Sequence, residues 1–235
     1  MCQKMAMFTS KRQIMTIELK NLSKTFYEGR KRKDVLTEIS CVVRSGEIFA
    51  LTGVNGAGKT TLLKILATLI EPDSGTILLN GIDAARNGTS ARAVTGLVFE
   101  AERSFYQILS VEENLRFFGA LRGMTGTVLR QRLEKLYDRF GLNEWRRVRF
   151  SHCSSGIRQK TAIVRALLHD PCILLIDELT RSLDTRAQED VVEAVKTMVR
   201  EDSKTCILVT HDAATARAAG FRLGELTGGN IKELS

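Results

Sequence analysis

The chain has 235 residues, of which 43% are hydrophobic, and this size favours one main domain over several independent ones. Its longest apolar runs, such as residues 172–176, are far shorter than the roughly 20 residues that a membrane-spanning helix requires, which argues against an integral membrane protein. The formal net charge of +8 favours anionic partners, but nucleic acid, lipid headgroups and phosphorylated ligands all satisfy it.

The cysteines indicate reduced, mostly structural thiols, and the N-terminal residues indicate a cytosolic protein. The five cysteines are odd in number, widely spaced and free of any Cys-x-x-Cys pair, which argues against a disulfide framework and against a zinc site. Residues 1–15 are basic but lack the apolar core of a secretory signal. Because they also lack periodicity, we predict an N-terminal extension over residues 1–15.

Strand-like segments come first along the chain. Residues 16–22 alternate apolar and polar side chains, and residues 35–44 and 47–52 are further strand candidates. The basic run at residues 30–33 is predicted as a solvated turn, with a contact to lipid headgroups or a partner as the alternative. The strand at residues 47–52 leads into a glycine-rich loop and then a helix at residues 59–69.

Short strands are predicted at residues 76–79 and 94–99, and the pattern then changes. From about residue 101 to residue 155 it is helical and rich in arginine, with helices predicted at residues 111–121 and 128–140. We interpret the segment as an inserted helical subdomain.

Strands and helices alternate again in the remaining chain. The predicted order is a helix at residues 156–169, a strand at 172–177, a helix at 185–201, a strand at 205–210 and a helix at 212–219. Such alternation implies a largely parallel sheet that is covered by helices on both faces. We therefore predict an α/β fold, in a single domain over residues 16–235.

The glycine-rich loop fits the phosphate-loop pattern G-x-x-x-x-G-K-S/T, and it lies between a predicted strand and a predicted helix, as that pattern requires. Its glycines let successive backbone N–H groups face the phosphates of a nucleotide at a helix N-terminus. Lys59 is then expected to reach the β- and γ-phosphates, and the Thr60 hydroxyl to ligate Mg²⁺. The residues predicted to bind nucleotide here are Gly53, Asn55, Gly56, Ala57, Gly58, Lys59, Thr60 and Thr61.

Two adjacent carboxylates, Asp177 and Glu178, end the apolar strand predicted at residues 172–177. Open α/β sheets place their ligands at the C-termini of strands. Since side chains alternate along a strand, the two carboxylates are predicted to point in different directions. Asp177 suits the Mg²⁺ shell, and Glu178 suits a position from which it orients or deprotonates an attacking water.

His211 and the segment around Ser154 have two interpretations each. His211 ends the strand predicted at residues 205–210, where a capped surface histidine is the ordinary structure, although a histidine can also bind a γ-phosphate. Ser154 precedes Gly156 at the start of a helix, which is an ordinary N-cap pattern and also the geometry of an anion site. These residues alone leave both interpretations open.

In combination, these motifs resemble the ABC-type ATPases. The motifs and their order match that family over roughly residues 16–226: the phosphate loop, Ser154 to Gly156 with Arg158 and Gln159, Asp177 with Glu178, residues 182–184 and residues 209–212. The resemblance implies a P-loop NTPase core with a largely parallel sheet, an antiparallel N-terminal β subdomain and an inserted helical subdomain.

The same resemblance implies a dimeric ATPase with ATP and Mg²⁺ as its cofactors. Ser154 and Gly156 would contact the γ-phosphate of the ATP held by a second ATPase subunit, and Asp184 would lie in the loop that couples the two sites. Glu178 would be the catalytic base and His211 the switch histidine. Whether the two subunits are identical stays open.

An aromatic that stacks on adenine is also implied by the resemblance. Phe26 matches this position, and Tyr27 is the alternative. An ordinary aromatic at the end of a strand is the other interpretation of Phe26.

The chain departs from the family pattern at three places. Glu100 replaces a glutamine and would still approach Mg²⁺, although it adds a negative charge near the phosphates. The signature keeps Ser154 and Gly156 but has Ser155 in place of its first glycine and Ile157 in place of its glutamine. Leu179 replaces the proline after the catalytic glutamate. None of these changes removes a catalytic group, so we predict a competent ATPase.

By resemblance, the partners are separate membrane-spanning permease subunits, and the chain would lie at the cytoplasmic face of the membrane without binding nucleic acid. Residues 100–106 and 109–115 look most like ATPases of export-type (ABC-2-like) permeases. The main alternative is a cytosolic ABC-type ATPase that acts on nucleic acid or ribosomes. A P-loop kinase or GTPase and a regulatory subunit without useful turnover are further alternatives.

Overall fold

The fold alternates strands and helices along most of residues 15–99, 105–179 and 183–234, which this computed structural model describes. The elements in chain order are β1 (Met15–Glu28), β2 (Lys31–Arg44), β3 (Ile48–Thr52), α1 (Lys59–Leu66), β4 (Ser74–Leu79), β5 (Ile82–Asp83), α2 (Gly88–Val94), β6 (Thr95–Val98), α3 (Val111–Leu121), α4 (Gly126–Phe140), α5 (Ser155–Leu167), β7 (Ile173–Asp177), α6 (Thr185–Asp202), β8 (Thr205–Val209), α7 (Ala213–Ala218), β9 (Arg222–Thr227) and β10 (Asn230–Leu234). Short 3-10 turns at Asn143–Trp145 and Phe150–His152 lie between α4 and α5.

The strands form two sheets. An antiparallel sheet has the order β2-β1-β4-β5, and a second sheet has the order β10-β9-β3-β8-β7-β6. In the second sheet every neighbouring pair is parallel except β9 with β10. The predicted α/β fold, with a largely parallel sheet and an antiparallel N-terminal sheet, is therefore confirmed.

The parallel sheet separates two hydrophobic cores, because successive residues of a strand face opposite sides. In β7, Ile173 and Leu175 pack in a core with α1 and the antiparallel sheet. Leu174 and Ile176 pack in the other core, with α3, α4, α5 and α6. All four side chains are fully buried, and burial of such a side chain contributes about 1.5–3 kcal/mol.

The helical region between residues 105 and 154 is held by caps and side-chain contacts. Ser110 and Glu113 form a capping box at the start of α3, and Gly141 ends α4 in a left-handed conformation. The Phe105 ring stacks on Phe150 with centroids 4.5 Å apart. This region shares its core with the parallel sheet, and the subdomain bounds of about 101–155 stay a prediction.

Several element bounds differ from the predictions. Helix α1 ends at Leu66 and not at residue 69, since Thr68 has a φ of +57° and interrupts the helix. The basic residues Lys31, Arg32 and Lys33 are exposed, as expected, but they begin β2, so the solvated-turn prediction is wrong for them. Elements α2, β5, β9 and β10 were not predicted.

Membrane insertion by a helix has no candidate among the described residues, because none of their helices combines the required length and apolarity. The predicted extension lies outside the described residues except for Met15. Glu100, assigned to the metal, also lies outside them.

Candidate nucleotide-binding site

The phosphate loop has a backbone conformation that requires glycine at two positions. Gly53 has a φ of +143°, and a Cβ there would lie 2.5 Å from the carbonyl oxygen of Leu226. Gly58 has a φ of +106°, and its Cβ would lie 2.8 Å from Cγ1 of Val35. Both conformations are rare for residues with a side chain. The loop therefore packs closely against β9 and β2.

Lys59 and Thr60 begin α1 directly after this loop. The Lys59 ammonium donates hydrogen bonds to the carbonyl oxygens of Gly53 and Val54, at 2.6 and 3.0 Å. These bonds bend the lysine back along the loop. Asn55 and Gly56 are exposed, and Ala57 and Thr61 are partly buried, so the predicted nucleotide-binding residues line one loop and the first turn of one helix.

Thr60 brings the phosphate loop to the end of β7. Its hydroxyl donates a hydrogen bond to Oδ2 of Asp177 at 3.0 Å. Oxygen ligands of this kind are the ones that Mg²⁺ prefers. Burial raises the pKa of the Asp177 carboxyl, and the neighbouring Glu178 adds to the effect, while the hydrogen bond from Thr60 opposes it. A cation held by Thr60 and Asp177 would compensate for the lost hydration, so these two residues fit the predicted metal site.

Glu178 leaves the strand through an unusual backbone conformation. Its φ is +61°, whereas β7 ends one residue earlier, at Asp177. Its N–H donates to the carbonyl oxygen of Val209 at 2.9 Å, and its own carbonyl accepts from Nε2 of Gln159 at 3.3 Å. The two carboxylates contact different residues, as predicted: Asp177 contacts Thr60, and Glu178 contacts residues after β8. The left-handed backbone of Glu178, and not the alternation of side chains along a strand, gives Glu178 its direction.

The Glu178 carboxylate contacts two residues after β8. Oε1 accepts a hydrogen bond from the Thr210 hydroxyl at 3.2 Å, and Oε2 lies 2.7 Å from Nδ1 of His211. The carboxylate is mostly buried, while the His211 ring is 67% exposed. The structure thus brings Glu178 and His211 together. It adds Thr210 and Gln159 to the site. Both lie in segments that carry the family resemblance, but sequence reasoning gave neither a role, because each acts through a contact that is distant in sequence.

The signature segment lies at the N-terminus of α5. The Ser154 hydroxyl accepts a hydrogen bond from the Ile157 N–H at 3.4 Å, and Ser154 is exposed. Gly156 is buried, and a Cβ there would approach Ala187 Cβ at 3.2 Å. Asp184 caps α6 by accepting from the Ala187 N–H at 2.8 Å. The first turns of α5 and α6 therefore meet at Gly156.

Phe26 lies near the end of β1, and its side chain is 39% exposed. It pairs with Lys33 across the hairpin, and Tyr27, which is 73% exposed, pairs with Arg32. Both aromatics are therefore accessible to a ligand.

Comparisons with known proteins give a consistent assignment. A sequence profile of the ABC transporter family matches residues 36–181. The ABC transporter ATP-binding protein NatA of Bacillus subtilis is 35% identical over 195 residues, which cover 83% of this chain and 79% of that protein. The methionine import ATP-binding protein MetN of Vibrio cholerae is 31% identical over 224 residues, which cover 92% of this chain and 64% of that protein.

Solved structures are similar as well. The dimeric post-hydrolysis state of the ATP-binding cassette MJ0796, bound to ADP and Pi, matches with a TM-score of 0.82 at 28% identity, covering 93% of this chain and 98% of that one. Subunits of this kind dimerise and work with membrane permease subunits. The chain belongs to the ABC transporter family, as an ATP-binding subunit that hydrolyses ATP.

Proposed function

We propose that the chain binds Mg·ATP at its phosphate loop, hydrolyses it with Glu178 as the general base, and drives export through separate membrane-spanning subunits. The observation that carries the catalytic part is the placement of the Glu178 carboxylate. Thr210 and His211 hold its two oxygens, beside the Thr60–Asp177 pair. A base is effective only when it is fixed within hydrogen-bonding reach of the proton that it accepts.

Each residue of the site has a distinct proposed role. Glu178 accepts a proton from the attacking water, and Thr210 orients the carboxylate. Lys59, which bonds to the loop carbonyls, turns toward the phosphates when ATP binds. Thr60 and Asp177 would hold Mg²⁺, which would neutralise part of the charge of the phosphates. Sequence resemblance supports His211 as the residue that contacts the γ-phosphate.

A second ATPase subunit completes each site in this proposal. The exposed Ser154 lies at the start of a 13-residue helix, where a helix N-terminus favours an anion. Together with Gly156 it would face the γ-phosphate of ATP on the other subunit. The dimeric form of MJ0796 supports a second subunit in this role.

Permease subunits are the second kind of partner that we propose. The chain would bind them at the cytoplasmic face of a membrane. The helical region would transmit closure of the dimer to them. Resemblance of residues 109–115 to export-type ATPases supports export, whereas the name of MetN denotes import for that protein. ATP-dependent movement of cargo in membrane vesicles of defined orientation, with the permease present, distinguishes the two directions.

The test of the catalytic role is Glu178→Gln, with the exposed Glu189→Gln on α6 as the matched control. We expect hydrolysis to fall by about 10²–10⁴-fold in the first variant, because the amide cannot accept the proton. ATP affinity should be retained, and the ATP-bound dimer should persist in gel filtration. The control should behave as the unaltered chain.

Two outcomes would change the proposal. Unchanged hydrolysis in Glu178→Gln would remove Glu178 as the base. Recovery of the Glu178→Gln chain from solubilised membranes with nucleic acid, and without a multi-spanning protein, would favour the cytosolic alternative.

A further inference from the structure

One face of the Phe26 ring is covered by a lysine. Lys24 Nζ lies 5.4 Å from the ring centroid, inside the roughly 6 Å range in which an ammonium is attracted to an aromatic face. The Lys24 side chain is only 15% exposed, whereas Phe26 is 39% exposed. The cation is therefore packed into the protein, and accessible ring surface remains.

Asp73 fixes the position of this cation. Its Oδ1 accepts a hydrogen bond from Lys24 Nζ at 2.7 Å, and its Oδ2 accepts from the Thr25 N–H at 2.6 Å. The Asp73 N–H donates to the Ser23 carbonyl at 2.9 Å. These contacts lower the pKa of Asp73, mainly through the bond from Lys24. One aspartate thus binds three consecutive residues of β1.

The contacts of Asp73 with Lys24 and Thr25 lie where β1 is irregular. The pairing of β1 with β2 shifts register between Leu22 and Lys24 and again between Lys24 and Thr25. The pairing of β1 with β4 ends at Ser23 opposite Ser74, next to Asp73. Such irregularities redirect side chains and are frequent beside active sites. The contact between the Lys24 ammonium and the Phe26 ring lies within this irregular part of β1.

We propose that Lys24 and Asp73 are positioning residues for the adenine base. The ion pair holds one face of the Phe26 ring, so that the ring presents its other face to adenine without first losing rotational freedom. Lys24 acts through Phe26 and does not touch the nucleotide. The inference rests on the proposed stacking role of Phe26, which it deepens.

The experiment compares ATP, which contains adenine, with inorganic tripolyphosphate, which does not. Dissociation constants for ATP and for inorganic tripolyphosphate are measured by calorimetry on Lys24→Met. The control is Lys20→Met, an exposed lysine of the same strand that pairs with Glu18. We expect ATP to bind about 3-fold more weakly to Lys24→Met, with tripolyphosphate unaffected, since the weaker cation–π contacts in proteins have about this effect. Lys20→Met should change neither constant.

Three further variants distinguish positioning from general damage to the strand. Lys24→Arg should restore ATP affinity, because it keeps a cation over the ring. Asp73→Asn should weaken ATP binding in the same direction as Lys24→Met. In a Phe26→Ala background, Lys24→Met should have no additional effect on ATP affinity.

The possible failures are distinguishable. Equal weakening of ATP and tripolyphosphate in Lys24→Met would overturn the inference, since it would indicate damage to the fold. Selective weakening of ATP by Phe26→Ala, but not by Lys24→Met, would overturn it and leave the stacking role intact. Unchanged ATP affinity in Phe26→Ala would remove both the stacking role and the inference, while the catalytic role of Glu178 would stand.

Discussion

The loops at the strand ends and the helical region of residues 105–154 are stabilised in different ways. The loops depend on backbone conformations with positive φ at Gly53, Gly58 and Glu178. The helical region depends on packed side chains such as Phe140, which is 2% exposed. We infer that small changes in the loops remove function, whereas changes in the helical region alter stability and leave nucleotide affinity unchanged.

The largest expected effect on stability is in the helical region. Phe140→Ala should lower the free energy of unfolding by about 3–5 kcal/mol, because it leaves a cavity in the core. Phe117→Ala, at a ring that is 37% exposed, should cost far less. Urea denaturation measures both values. ATP affinity of the folded Phe140→Ala protein should be normal. A loss of affinity would show that packing in the helical region also determines nucleotide binding.

The complementary test adds a methyl group to the phosphate loop and measures ATP binding. Gly53→Ala should abolish ATP binding and cost more than about 2 kcal/mol, since the Cβ collides with Leu226 and φ is positive. Gly126→Ala, in the helical region, also has positive φ, but it has no atom within 4 Å of the added Cβ. Its expected cost is about 1 kcal/mol, with normal ATP binding by calorimetry. Similar ATP affinities in the two variants would contradict the distinction.

A smaller change in the free energy of unfolding, and in the stabilising direction, is expected for a variant at Tyr137 in α4. Its ring is fully buried and its hydroxyl has no hydrogen-bond partner among the described residues. Tyr137→Phe should therefore stabilise the chain by about 1 kcal/mol. Tyr106→Phe, at an exposed ring, should be neutral. A lower Tm in Tyr137→Phe would show that the hydroxyl does have a partner in solution.

The smallest expected effect is on the thermal stability of a variant at Asp177, the last residue of β7. Burial raises the pKa of Asp177, so the folded state binds this proton more tightly than the unfolded state does. The ionised carboxylate therefore lowers stability above the folded pKa, and this cost disappears as the pH falls below the ordinary carboxyl pKa. Asp177→Asn should raise Tm slightly at pH 7, without raising it in acid, in thermal scans of the nucleotide-free chain. An equal rise at both pH values would exclude this titration as the cause.

Much of the fold was predictable because its signals are local. Helix α3 was predicted with the bounds that it has, since Ser110 and Glu113 mark its start and its apolar residues keep helical spacing. Strand β9 was missed, as it contains Gly224, a poor strand former. A Cβ at Gly224 would lie 2.4 Å from Phe49 Cζ, so the glycine is required by a contact that is distant in sequence.

The site was predictable in composition but not in geometry. The phosphate loop and the two carboxylates follow from motif and position, and their roles stay predictions. The left-handed backbone of Glu178 was not predictable, because glutamate has no local preference for it. The bonds from Thr210 and Gln159 depend on neighbouring elements that only the folded chain brings together.

The division of the interior by the parallel sheet has a consequence for protein engineering. Leu174 and Leu175 are adjacent in sequence, yet they belong to different cores. Substitutions at the two positions share few partners, so their energetic costs should be close to additive. Combinatorial libraries that vary one face of the sheet can therefore be screened separately from libraries that vary the other, and the best variants of each can then be combined.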